Sequence, residues 1–416
     1  MTKKCNAVVG QSGGPTSVIN ASLFGVIEEC RKNDQQIGTL YGALNGVEGI
    51  IQENLIDLFS ETQDTLAELR EMPGAALGGC RYQLHCDDPS DGDMKLLFKV
   101  FAKYNIKYFF YIGGNDSMDT ANKIDSAARK MQVDLKVIGV PKTIDNDLMA
   151  TDHCPGYGSC ARYLITTVVE AGIHARNMKD SEPVTILVTV GRNAGWLPAA
   201  CGYARRLDDD APHILCFPEV SFERKTFLNH VKWAYEKYGY VFIVTGEGLL
   251  DPDGNYVTSN SDEIQVDAFG HPALGGIGET LKSFIEQDLQ LRTEVIKPGV
   301  SQQGSALLAS GVDLHEAEMC GRTAVQMAIS GQSGFMVVMV RDSNSPYFIR
   351  YDKASLIKIA NFDRMVPNIF IAPDGISVTN EFIEYITPLI QGAPTIENSG
   401  GIKFYKGLTC VPIAAD

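Results

Sequence analysis

Short, almost uninterrupted apolar runs recur along this chain, and each is followed by a stretch with helical spacing. The runs are "CNAVVG" (5–10), "KYFFYI" (107–112), "LKVIGV" (135–140), "TILVTVG" (185–191), "HILCFPE" (213–219), "YVFIVTGE" (240–247) and "GFMVVMVR" (334–341). Between them, Ile19, Leu23, Val26, Ile27 and Cys30 lie on one helical face, as do Met94, Leu97, Phe98 and Phe101. A long helix is expected to run to about Met178, another near 224–238, and a third through Ile277, Leu281, Phe284 and Ile285. Strands that are apolar on both faces must be covered on both faces. Their alternation with helices therefore predicts an α/β protein with parallel sheets between helical layers.

A chain of 416 residues is long for one such sheet. The pattern breaks at "LMATDHCPGYGS", which predicts a first domain over 1–150 and a second over 151–300, with 301–416 packing back across both. The formal charge of −15 excludes general binding to nucleic acid or to a membrane surface. No apolar stretch is long enough to span a bilayer, and the opening run stops at Gly10, too short for a signal peptide. Ten scattered cysteines without a CxxC pair suit a reducing, cytoplasmic location. If such an acidic chain binds an anion, it must concentrate a few cations and backbone donors at one place.

The candidate residues fall just past the carboxyl ends of the predicted strands: "GQSGGPTSVIN", "GGNDS", "PKTIDND", "GR" and Glu247. In open α/β sheets ligands bind at those ends, so five distant segments can converge on one site. Gly13 and Gly14 precede a helix and can present N–H groups to an anion, although a plain strand–helix turn reads the same way. Neither a GxGxxG nor a Walker spacing is present. Asp145 and Asp147 are two apart, so in extended chain both face one way; one carboxylate can accept a hydroxyl proton while the other orients it or helps hold a metal. A polar turn is the competing reading. Lys142 offers a compact charge for a phosphate, and Arg81, on the glycine-rich loop "PGAALGGCRY", can clamp a transferring phosphoryl group. No histidine stands in a metal-binding context.

Taken together, "SGGPTSVINA", "LGGCR", "GGNDS", "PKTIDND" and "VGRNAGW" resemble the 6-phosphofructokinase family over roughly residues 5 to 250, in the same order. The resemblance implies two α/β/α three-layer domains with the active site in the cleft between them. It implies phosphoryl transfer to the 1-hydroxyl of fructose 6-phosphate with Mg²⁺, by a homo-oligomer in glycolysis or gluconeogenesis. By that likeness Asp145 is the base, Asp147 its companion, Arg81 the bridge between donor and transferring phosphates, and Gly13 and Gly14 the donor loop. Thr143, Ile144, Asp145, Val190, Gly191, Arg192 and Glu247 would meet the sugar phosphate. ATP-using members carry glycine where Asp116 and Lys142 stand, whereas pyrophosphate-using members carry aspartate and lysine, so pyrophosphate is the expected donor. The alternatives are an ATP-dependent enzyme or a non-catalytic regulatory subunit of the same fold. Asn115 stands where the family usually has an acid near the metal, leaving it a weak ligand beside Asp145, acting through water. Pro183 replaces an arginine that compact bacterial members send across a subunit interface.

Overall fold

The computed structural model describes residues 4–84, 92–258, 276–394 and 403–413. Eleven strands occur among them: β1 (Cys5–Gln11), β2 (Ile37–Ala43), β3 (Leu55–Asp57), β4 (Ile106–Gly113), β5 (Lys136–Pro141), β6 (Val184–Val188), β7 (Ile214–Cys216), β8 (Val241–Thr245), β9 (Thr293–Ile296), β10 (Phe335–Asn344) and β11 (Tyr347–Ser355). Seven form one sheet in the order β11-β10-β5-β4-β1-β2-β3, and four form a second, β7-β8-β6-β9. The apolar runs made the central strands. The inner part of β1, most of β4 and β5, and all of β6 and β8 are buried, and these strands pair in parallel. Two runs are shorter than their patterning suggests: β6 ends at Val188 and β7 at Cys216, after which Phe217 enters the core around the smaller sheet.

The chain after 300 divides its loyalty. Helix Gly311–Ile329 packs beside helix Ile19–Lys32 on the larger sheet, which β10 and β11 then extend. Phe382, Tyr385 and Ile386 of helix Asn380–Ile386 instead enter the core around the smaller sheet. The break near 150 is no exposed linker: Leu148, Thr151, His153 and Cys154 are all buried.

Two polar devices hold this crossing. The Asp313 carboxylate accepts from the N–H of Gly156 at 2.9 Å and of Ser159 at 2.8 Å, capping helix Tyr157–Asn177 from a distant helix. The His153 ring lies between Asp152 (Nδ1 to Oδ1, 2.8 Å) and Glu316 (Nε2 to Oε2, 2.7 Å), while Tyr347 donates to Glu316 at 2.6 Å. Burial by itself lowers the His153 pKa, but the two carboxylates outweigh it and push it up to about 9.

A histidine whose folded pKa lies above its ordinary value stabilises fully below about pH 6.5, and the gain is lost as pH rises through about 9. The denaturation midpoint is therefore expected to fall between pH 6.5 and 9.5 in the native chain and to lose much of that dependence in His153→Ala. That substitution leaves Glu316 the Tyr347 hydroxyl but no cation, and should cost about 3–5 kcal/mol at pH 6.5. Urea titrations of both proteins at the two pH values check it; equal midpoints at pH 6.5 would remove His153 from this role.

Candidate active site

The strands of both sheets deliver their carboxyl ends to one cleft of about 430 Å³. Its walls come from Ser12, Gly13 and Gly14 after β1, Cys80 and Arg81, the Gly114–Ser117 turn after β4, and Lys142, Thr143, Asp145 and Asp147 after β5. From the other side come Arg192, Asn193 and Ala194 after β6, Tyr256 after β8, and Asn361 and Asp363 after β11.

The close approach of these loops explains two glycines. Gly13 has φ +76°, and a Cβ there would lie 2.9 Å from Lys142 Nζ; a Cβ on Gly113 would lie 2.0 Å from Ser117 Oγ. One expectation changes. The Gly13–Gly14 turn does not begin a helix: the Gly13 N–H donates to Cys80 O at 2.8 Å, and the helix starts only at Ile19. Thr16 Oγ1 satisfies the Val18 and Ile19 N–H groups there. The helix end that does face the cleft belongs to Asn115–Lys130, directly behind β4, and its positive pole suits an anion. Asp116 sits in that first turn, exposed to the cleft.

The acidic turn owes its shape to Asn146, which has φ +58°. A non-glycine residue in that region reverses the local chain, so Asp145 and Asp147 flank a kink rather than lie along one strand, as their spacing alone suggested. Arg364 fixes the kink by donating from Nε (3.2 Å) and Nη2 (2.9 Å) to Asn146 O, and from Nη1 to Thr151 O (2.8 Å) and Asp152 O. The Asn146 side chain accepts from Cys154 N and donates to Tyr385 Oη, both at 2.9 Å.

Charge in the cleft is poorly compensated. Burial pushes the Asp147 carboxyl up to about 7, helped by the charges of Asp145 and Asp363. Burial also raises Asp145, against the pull of Arg192 and Lys142. Asp145 Oδ1 and Asp147 Oδ1 are buried with no hydrogen-bond partner. Lys142 is buried, donates to Gly14 O at 3.0 Å, and is brought down to about 8 by that burial and by Arg81, with Asp145 and Asp147 opposing.

Not every expected residue lines the open space. Ile144 is packed in the core around the smaller sheet. The Val190 N–H donates to Gln302 Oε1 at 3.1 Å. Gly191 O accepts from the Glu247 N–H at 3.1 Å, which sets Glu247 behind Asp145 and Arg192. Burial and the Asp145 charge push its carboxyl up to about 7. The Asn115 carboxamide, expected beside a metal, is turned to the 361–363 segment instead: Nδ2 donates to Phe362 O (2.8 Å) and Asp363 Oδ1 (3.1 Å), and Oδ1 accepts from Asn361 N (2.6 Å). Asn361, Asp363 and Arg364 were missed because "NFDR" lies in irregular chain with no period to place it. Asn193 was within reach, one residue beyond Arg192.

Two α/β units, the smaller with an all-parallel sheet and the larger with antiparallel strands β3 and β11 at its edges, meet at a cleft with a helix N-terminus, a buried lysine, two arginines and paired carboxylates, which define a phosphoryl-transfer enzyme. Residues 6–328 match the phosphofructokinase family model, and the chain belongs to that family. It is 40% identical over 396 residues, 94% of each chain, to pyrophosphate--fructose 6-phosphate 1-phosphotransferase of Halomonas elongata. To the enzyme of that name from Xanthomonas campestris it is 38% identical over 411 residues, covering 98% of this chain and 97% of the other. The crystal structure of a pyrophosphate-dependent phosphofructokinase from Nitrosospira multiformis superposes with a TM-score of 0.89 at 34% identity, covering 100% of this chain and 99% of that one.

The lowered Lys142 pKa gives the site a pH signature. Inorganic phosphate, used as a probe, should bind progressively more weakly as pH rises through about 8, where the buried ammonium loses its charge. Calorimetric titrations from pH 7 to 9.5 should show this decline in the native chain and its absence, with weaker binding throughout, in Lys142→Met. A decline that persists in Lys142→Met would assign the titration to another group.

Proposed function

We propose that this chain reversibly transfers a phosphoryl group from pyrophosphate to the 1-hydroxyl of fructose 6-phosphate, giving fructose 1,6-bisphosphate and phosphate. The observation that carries the reading is the pairing of Asp116, at the helix end where a phosphate chain would lie, with Lys142 buried across the same cleft. A carboxylate at that helix end occupies the place and charge of a further nucleotide phosphate, so ATP meets both a steric block and repulsion. Lys142 supplies the compensation that the shorter donor needs.

In the transfer, Asp145 accepts the 1-hydroxyl proton as that oxygen attacks phosphorus and the bond to the leaving phosphate breaks. Arg81 and Lys142 meet the charge that grows on the bridging and leaving oxygens. Arg192 meets the sugar phosphate and Glu247, behind it, accepts from the sugar hydroxyls, with Thr143 and the backbone of Ile144, Val190 and Gly191 framing the pocket. In the reverse direction Asp145 returns the proton. Mg²⁺ fits this donor set: two mostly buried carboxylates, Asp145 and Asp147, each keep an unsatisfied oxygen, and hard oxygen donors suit the ion. Among the described residues no cluster of three acidic, histidine or cysteine side chains could hold an ion unaided, so substrate oxygens would complete its shell. When bound, Mg²⁺ would neutralise phosphate charge. The nine described cysteines form no disulfide, in keeping with work in the reducing cytoplasm.

The test is a donor comparison with fructose 6-phosphate and Mg²⁺. Pyrophosphate should support turnover in both directions and ATP very little; comparable kcat/KM for the two donors would sink the reading. Asp145→Asn should lower kcat on the order of 10²–10⁴-fold with little change in KM. Asp116→Gly should admit ATP weakly while pyrophosphate turnover falls, and Asp116→Gly with Lys142→Gly should admit more than the single changes predict additively. Continued complete exclusion of ATP by the folded double variant would clear Asp116 of gating.

A further inference from the structure

The segment after β11 crosses the mouth of the cleft, and the Asp363 carboxylate is hydrogen-bonded to both walls. Asp363 Oδ1 accepts from Asn115 Nδ2 at 3.1 Å, on the helix end of the larger sheet's unit. Its Oδ2 accepts from Asn193 Nδ2 at 2.7 Å, on the loop after β6 of the smaller sheet's unit. Both bonds are charge-assisted, which roughly doubles the strength of a neutral pair.

The carboxylate can do this because its backbone is held from several sides. Asp363 forms an isolated bridge with Leu148, and the next N–H, of Arg364, donates to Asp147 O at 2.8 Å. On the donor wall Asn361 N donates to Asn115 Oδ1 at 2.6 Å, and Asn361 Nδ2 donates to Asp119 Oδ1 at 3.1 Å. On the acceptor wall, Trp196 Nε1 donates to Arg364 O at 2.8 Å. Glu219 Oε1 further receives both Gly195 N (2.9 Å) and Val366 N (2.8 Å). An exposed aspartate on so fixed a backbone has no need to be where it is for stability. Its position is set by what lies on either side of it.

We propose that Asp363 is a positioning residue that couples the two substrate subsites: it ties Asn115, beside the donor, to Asn193, beside the acceptor, so that ordering one wall by its ligand orders the other. The inference rests on the proposed reaction and deepens it by adding synergy between the two substrates. A residue that rigidifies both walls lets the first ligand bear the ordering cost, and the second then binds tighter, by the same factor in either order.

The experiment measures the affinity of fructose 6-phosphate with and without methylenediphosphonate, a hydrolysis-resistant stand-in for pyrophosphate, in the presence of Mg²⁺. The native chain should show fructose 6-phosphate binding tightened roughly 5- to 50-fold by the diphosphonate. In Asp363→Ala and in Asn193→Ala the factor should fall to within about twofold of one, and the double variant should lose nothing more. Asp363→Asn, which keeps one acceptor oxygen, should retain part of it. Each ligand alone should bind the variants within about threefold of the native chain, and thermal midpoints should be close to native. Retention of the full factor in Asp363→Ala, or a factor of one in the native chain, overturns the proposal. So does equal loss of affinity for each ligand alone. Turnover of the native chain with pyrophosphate, assayed on the same preparation, separates the two claims. Without turnover the proposed reaction fails and takes this inference with it; with turnover and unaltered coupling, only the inference fails.

Discussion

The active cleft depends on one guanidinium placed beneath it. Arg364 donates to the carbonyls of Asn146, Thr151 and Asp152 and lies 4.4 Å from the centre of the Trp196 ring. Those carbonyls belong to the turn that carries Asp145 and Asp147, and Trp196 begins a helix of the opposite unit. A left-handed residue between two acids is costly on its own, by about 1–3 kcal/mol, and persists only where its surroundings over-determine it. Here they do: a cation, a cysteine N–H and a tyrosine hydroxyl all claim Asn146.

The rest of the cleft is arranged around charges that the protein's own groups leave partly unanswered. Two carboxylates with orphaned oxygens face a lysine whose own proton is loosely held. Such an arrangement is unfavourable for stability and leaves charge in the cleft for a ligand to answer. Strain and unsatisfied charge gathered in one place, within cores otherwise well packed, mark where folding was compromised for chemistry.

What the sequence disclosed follows from what periodicity can express. Buried strands such as "KYFFYI" and "YVFIVTGE" have no polar face and stand out. Strand Ile37–Ala43 carries two glycines and is only partly buried, and Thr293–Ile296 is four residues long, so neither announced itself. The site residues at strand ends were readable because topology gathers such ends. Asp363 and Arg364 were not, since their roles are made by partners more than 150 positions away (Asn193 at 170, Asn146 at 218). The two-residue spacing of Asp145 and Asp147 also misled: extended chain would aim them together, and the left-handed Asn146 decides otherwise.

Strands β10 and β11 complete a sheet whose other members all precede residue 142. During synthesis, β5 is therefore made long before its outer neighbour exists, and the whole of the smaller sheet is translated in between. Until then the margin of β5, with Val137, Ile138 and Val140 along it, is an open and strongly apolar strand edge, the kind of surface that recruits other chains. The nascent larger unit has to be sheltered or kept loose while the smaller one forms, and its sheet closes only when the hairpin arrives. A fragment ending near residue 150 would carry most of the cleft wall on the larger sheet's side and yet keep that edge uncovered, so its fate would be association rather than independent folding.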